Sequence, residues 1–242
     1  MKKPTRINPT RILKAERLYS RQLSRLARHI GDIISGFEVT PETVPTISNM
    51  LRGYAEALVP WARVTASKML SEINNRDLEA WRNHGQQISE ALRREILNAP
   101  TGEVMRALLD QQVELITSLP IEAAKRVHEL TLKGLENSER AAGVAREIMR
   151  TGEVTESRAL LIARTETSRT ATALVQARAV HVGSEQFIWR TSGDGDVRRD
   201  HKKLNGKAFR WDSPPVADER TGARALPGAI YNCRCWSEVI LP

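Results

Sequence analysis

Acidic residues are almost missing from the first thirty positions of this chain, cysteine occurs only twice in 242 residues, and aromatics make up 5 %. Each scarcity excludes something. Cys233 and Cys235, in C-x-C spacing, could pair with each other only in a strained ring, so no internal disulfide is expected and both thiols are read as reduced. With 40 % hydrophobic residues but few aromatics, the core must be mainly aliphatic, and the length allows one large or two modest domains. No apolar run approaches the roughly 18 residues of a membrane span. Met1-Lys2-Lys3-Pro4-Thr5-Arg6 also lacks the apolar segment of a secretory signal. These absences predict a soluble protein made in the cytoplasm, with no membrane partner. There is no glycine-rich phosphate loop, no G-x-S-x-G and no H-E-x-x-H, so the common catalytic signatures are missing as well.

The missing acid shapes the N-terminus. Within residues 1–30, Lys2, Lys3, Arg6, Arg11, Lys14, Arg17, Arg21, Arg25 and Arg28 face Glu16 alone, and this segment carries the whole net charge of +8. Ile12, Tyr19, Leu26 and Ile33 recur at steps of seven, with Leu23 and Ile30 on the same face, which predicts a helix from Thr10. At about 100° per residue, Lys14, Arg17, Arg21, Arg25 and Arg28 fall on the opposite face with Arg11 at its edge. One side is suited to protein and the other to an anionic partner. A merely solvated basic face is the alternative, but such a face usually interleaves Glu with Lys at i,i+4. The preference for Arg points to phosphate or carboxylate contact. A membrane surface fits less well, because the apolar face has no Trp or Phe anchors.

Gly36 to Pro45 reads as a linker or turn, and closely spaced helices follow. Thr46 to Val59 runs into Pro60, which ends or kinks it. Trp61 to Trp81 then continues with Trp61, Val64, Met69, Ile73 and Leu78 as apolar positions. Further helices are expected over 88–97, 104–119 with a break at Pro120, 121–136, and 139–150 capped by Ser138. Thr-Gly-Glu-Val occurs at 101–104 and again at 151–154, and it reads as helix-entry chemistry rather than a repeat. A long helix from Thr155 to about Val182 is dense in Thr and Ser, and its Arg164 and Glu166 are expected to face solvent or pair with the C-terminal segment. Trp61 and Trp81 read as core residues.

Gly183 ends that helix and alternation takes over, with strand candidates at 186–189, 208–211 and 237–241. The chain divides into a basic amphipathic helix at 1–35, a helical body at 36–183 and a C-terminal module at 184–242. The expected fold class is α+β, a mainly helical N-terminal body with a small β-containing, loop-rich C-terminal module. Gly206, Pro214, Pro215, Gly222, Pro227 and Gly228 break up its middle, so specific contacts rather than a large core must bring its ends together.

The pattern W-x(4)-D-x-D-V-R-x-x-H-x-x-L-x-G-K from Trp189, followed by P-G-x(3)-N-C-R-C from Pro227, resembles the C-terminal signature of the Mu F-like phage head morphogenesis proteins. Leu160 to Thr167, with Ala-Arg-Thr-Glu-Thr at 163–167, resembles the helix preceding the signature in that family, so the likeness covers about residues 120–242. Trp189, Asp194, Arg198, Gly206, Pro227, Gly228 and Asn232 are its structural positions. The resemblance implies a minor head protein of a tailed phage or prophage, a low-copy virion component at the capsid interior or portal vertex, found in the host cytoplasm during assembly. Portal protein, major capsid protein and packaged double-stranded DNA are its implied partners, in assembly, packaging or ejection. The competing class is a metal-dependent nucleic-acid enzyme or a free DNA-binding protein.

His201, Cys233 and Cys235 are the donor types of a tetrahedral zinc site, with Asp196 or Asp200 as a fourth ligand. Some family members carry C-x-x-C where this chain has Arg198-Arg199-Asp200-His201, so His201 replaces one of two thiols. The other reading makes the cysteines small buried residues and lets Asp194, Arg198 and His201 tie the loop by hydrogen bonds and ion pairs. A His-Asn metal nuclease needs a further histidine as general base, and none follows in the module, so no enzymatic activity is expected.

Overall fold

The computed structural model describes residues 12–40, 42–84, 97–136 and 141–241. Its long helices are α1 (Leu13–Ser35), α2 (Val44–Ala57), α3 (Val59–His84), α4 (Thr101–Glu136), α5 (Ala141–Met149) and α6 (Thr151–His181). After them come β1 (Gln186–Arg190), α7 (Arg199–Leu204), β2 (Ala208–Arg210), β3 (Val216–Asp218), β4 (Ala223–Arg224) and β5 (Trp236–Ile240). The architecture is therefore α+β, a helical body with a small C-terminal region of short antiparallel strands and loops. Arg11, the Ser138 cap and nearly all of the helix expected over 88–97 lie outside the described residues.

The chain forms two compact units, and the first comprises Arg17–Ser67 and Leu109–Ala163. Here Leu23, Leu26, Ile30 and Ile34 of α1 are buried, while Ile33 is only partly covered. A step of seven drifts by about 20° per repeat on a 3.6-residue helix, so by the third repeat the neighbouring position has turned inward. Tyr19 donates its hydroxyl to Gln112 at 3.0 Å, and His29 packs edge-on against Tyr54 at 5.0 Å. Gly31 of α1 and Gly152 of α6 touch so closely that a Cβ on Gly152 would stand 3.2 Å from the Gly31 Cα. Both Thr-Gly-Glu-Val copies do open a helix, α4 and α6 respectively.

Two prolines correct the expected boundaries. α2 stops at Ala57, and Pro60 lies in the first turn of α3, where its missing N–H has no intrahelical role. Pro120 does not break its helix: α4 runs through it from Thr101 to Glu136. Ile116 and Leu119, fully buried beside it, contribute about 3–6 kcal/mol together, more than the ~3 kcal/mol that an interior proline costs. Val64, expected on the buried face of α3, is 53 % exposed, and Ala62 and Ala66 occupy that face instead.

The second unit comprises Met1–Glu16, Lys68–Leu108 and Arg164–Pro242. Its helix α6 is closed by Gly183 at φ 83°, with Ser184 N–H bonded to the Ala179 carbonyl at 2.8 Å and Gly183 N–H to Val180 at 3.0 Å. β1, β2 and β5 fall at the three strand positions that the alternation predicts, and β1 runs antiparallel between the other two with Phe187 and Trp189 buried. These rings pack with Trp81, Trp211, Val239 and both cysteines in one core. Trp211 lies 4.6 Å from Phe187 and donates its indole N–H to Ser184 at 3.2 Å. In the same unit the buried Arg178 pairs with Asp77 and reaches Asn74 at 2.8 Å. Helix α7 and the β3–β4 hairpin are the elements that the sequence pattern does not anticipate.

Candidate functional site

The loop carrying the two cysteines is held on α6 by that helix's polar residues. Thr172 donates to the Pro227 carbonyl at 2.5 Å, and Arg169 donates twice to the Ala229 carbonyl at 3.2 and 3.1 Å. Glu166, only 3 % exposed, clamps Arg169 at 2.8 Å. Thr165 accepts the Asn232 N–H at 2.9 Å, and Arg164 donates to the Asn232 side chain at 2.9 Å while pairing with Glu16 at 3.5 Å. Positions 165, 169 and 172 share one helical face, and on it the short Thr165 and Thr172 and the long Arg169 each bond a different part of the loop. Arg164 therefore ties to the C-terminal segment, as expected, whereas Glu166 acts through Arg169.

Two backbone features let the loop lie this close. Gly228 has φ 82°, and a Cβ there would stand 2.9 Å from both the Cys235 carbonyl and the Thr172 hydroxyl. Asn232 sits at φ 55°, a conformation Asn tolerates better than most residues. The turn that follows delivers Cys233 and Cys235 beside His201, which α7 supplies.

His201 is 2 % exposed, with Trp189 edge-on at 5.2 Å. Its Nε2 lies 3.0 Å from the Ala217 carbonyl, an atom that can only accept, so Nε2 carries the proton and Nδ1 presents a lone pair. That nitrogen is 3.5 Å from the sulfur of Cys233 and 3.5 Å from the sulfur of Cys235. All three donor atoms lie within 4.8 Å of one another. Zinc bonds of about 2.3 Å to sulfur and 2.05 Å to nitrogen, at tetrahedral angles, put N and S about 3.6 Å apart. The geometry and the donor set both fit that ion.

The electrostatics of the thiol pair agree. Cys233 is held well below the usual thiol range, chiefly by the hydrogen bond from the Cys235 thiol, against the opposing effect of burial. Cys235 is pushed far up by the same bond and by burial. The pair gives up one proton easily and the second only against the charge of the first, which a bound cation would offset.

The donors line a cleft of about 360 Å³, whose other walls include Arg164, Ser192, Asp194, Asp196, Arg198 and Arg234. Arg234 bridges Asp194 at 3.1 Å and Asp196 at 3.3 Å. Arg198 donates to the Tyr231 carbonyl at 3.0 Å and lies 4.7 Å over its ring. Asp196 is thus not brought into the donor cluster, and Asp200 instead accepts the Glu219 N–H at 3.1 Å. Gly206 turns the chain beside β1, its N–H on the Trp189 carbonyl at 2.8 Å.

On α1, Lys14, Arg17, Arg21, Arg25 and Arg28 are all exposed, and among the described residues none of them is paired with a carboxylate. They span an arc of about 80°, opposite the buried stripe. The sequence pattern does not foretell the roles of Arg169, Thr172 and the Ala217 carbonyl. The spacing of the charges from Arg164 to Arg178 along the helix is the signal for Arg169 and the Thr- and Ser-rich stretch that for Thr172, while a backbone carbonyl leaves none.

Residues 125–238 match the family described as Phage Mu protein F like protein. An uncharacterised protein of Haemophilus influenzae is 31 % identical over 133 residues, which are 55 % of this chain but only 28 % of that relative. No solved structure matches the chain significantly.

Proposed function

We propose that this protein is a minor head protein of a tailed phage or prophage, because residues 125–238 match the family described as Phage Mu protein F like protein. In this reading it is a low-copy component docked at the portal or inner shell, acting in assembly, packaging or DNA delivery by binding rather than turnover. The observation that carries the proposal is the extent of the match, which takes in both the C-terminal signature and the helix that holds it. The way the signature is used supports it: Trp189 is core, Arg198 and Arg234 hold loops, and Asn232 and Gly228 shape the turn. The unpaired cationic face of α1 suits the phosphate-filled interior of a head, with packaged double-stranded DNA as a sequence-independent partner.

Deleting residues 189–242 in the parent phage is expected to abolish incorporation into procapsids, or to yield heads that fail to deliver DNA, with shell polymerisation intact. Normal infectious particles would refute the reading. A free nucleic-acid enzyme or regulatory DNA-binding protein, the competing class, would not co-sediment with procapsids.

A further inference from the structure

We propose that His201 Nδ1, Cys233 Sγ and Cys235 Sγ hold one zinc ion, with the fourth coordination position facing the cleft and taken by solvent or another exchangeable ligand.

Three observations point the same way. The lone pair of His201 is aimed by a bond on the far side of its ring, Nε2–H to Ala217, the arrangement that fixes the tautomer of metal-ligating histidines. The two equal Nδ1–sulfur distances of 3.5 Å match the edge of a zinc tetrahedron to about 0.1 Å. A backbone N–H, that of Cys235, already points at the Cys233 sulfur at 3.4 Å, as donors to metal thiolates do. Two thiolates and an imidazole select zinc over magnesium or calcium, which take oxygen ligands.

The fourth position belongs to no described side chain. The oxygen ligands nearest in sequence are occupied elsewhere, Asp194 and Asp196 by Arg234, and Asp200 by the Glu219 N–H and Lys203. Asp196 is also 88 % exposed in its side chain, and the three donors form a wall of the open cleft. Arg164, Arg198 and Arg234 outnumber Asp194 and Asp196 in that cleft by one, so an anionic fourth ligand would be favoured over a cationic one. Zinc here would fasten α7 to the Pro227–Cys235 loop, two segments joined otherwise by one packed core and scattered hydrogen bonds.

The test uses the full-length protein, prepared without chelators, supplied with zinc and then desalted. It should retain one equivalent of zinc per chain, and cobalt(II) in its place should give thiolate charge transfer with the intense visible bands of a tetrahedral ion. Cys233→Ser, Cys235→Ser and His201→Ala should each weaken retention at least tenfold, while Asp196→Ala keeps it. Wild-type protein supplies a test free of folding defects: iodoacetamide should spare both cysteines with zinc present and modify them after a chelator is added. Added imidazole should shift the cobalt bands by entering the fourth position. Retention below about a tenth of an equivalent, or alkylation indifferent to chelator, would overturn the site. Loss of metal in Asp196→Ala, or cobalt bands unmoved by imidazole, would overturn the exchangeable position. None of these readouts involves procapsids, so the site and the head-protein reading fail separately.

Discussion

Gly228→Ala probes how tightly the C-terminal module is closed on α6. Gly228 has φ 82°, and a non-glycine residue held in that left-handed region costs about 1–2 kcal/mol. The added methyl would also stand 2.9 Å from the Cys235 carbonyl, 2.9 Å from the Thr172 hydroxyl and 3.3 Å from the Ser168 carbonyl. Two of these are backbone atoms, and the third is the hydroxyl that donates to Pro227 at 2.5 Å. Relieving the clash therefore shifts a helix or loop, at about 1–3 kcal/mol for an overpacked methyl, and strains a buried hydrogen bond worth about 0.5–1.5 kcal/mol. The expected loss is roughly 3–6 kcal/mol. Gly222→Ala is the matched control, because Gly222 has φ 71° but open space where its Cβ would be, so it should lose only about 1–2 kcal/mol. Urea unfolding followed by tryptophan fluorescence reads both, since Trp81, Trp189 and Trp211 sit in the core of that unit. If the two variants agree to within about 1 kcal/mol, close approach is not why position 228 is glycine and the docking argument fails.

Asp77→Ala should cost about 3–5 kcal/mol in the same assay by leaving Arg178 buried without its carboxylate, and adding Arg178→Met should recover much of that loss. Thr172→Val keeps the shape of the side chain but removes the bond to Pro227, for an expected loss of about 1 kcal/mol. Changing Arg11, Lys14, Arg17, Arg21, Arg25 and Arg28 together to Gln should leave circular dichroism unchanged. In DNA binding, the slope of log K against log salt should flatten by about 0.9 for each phosphate that is no longer neutralised, and an unaltered slope would reject the phosphate reading. Leu26→Glu, which places a charge at a fully packed site, should unfold α1 from its unit instead, seen as a weaker helical signal.

Much of this protein is legible from local pattern because local geometry governs it. A 3.6-residue repeat places the buried and cationic faces of α1, alternation locates β1, β2 and β5, and Gly183 marks the end of α6. The residue types of a metal cluster are also visible, since donor chemistry belongs to the side chain wherever it lies. Where burial competes with local preference, the sequence pattern misleads: Pro120 stays helical because Ile116 and Leu119 are buried around it, and Ile34 replaces Ile33 as the helix drifts from its seven-step repeat. Helix α7 and the β3–β4 hairpin are too short to show any period. The choice among candidate ligands is decided by tertiary structure alone. Arg169 and Thr172 draw the Pro227–Cys235 loop onto α6, and this puts two sulfurs 3.5 Å from a histidine more than thirty positions away, while Arg234 takes Asp196 for itself. Those pairings join residues distant in the chain, and their competition is settled by distances that exist only after the chain has folded.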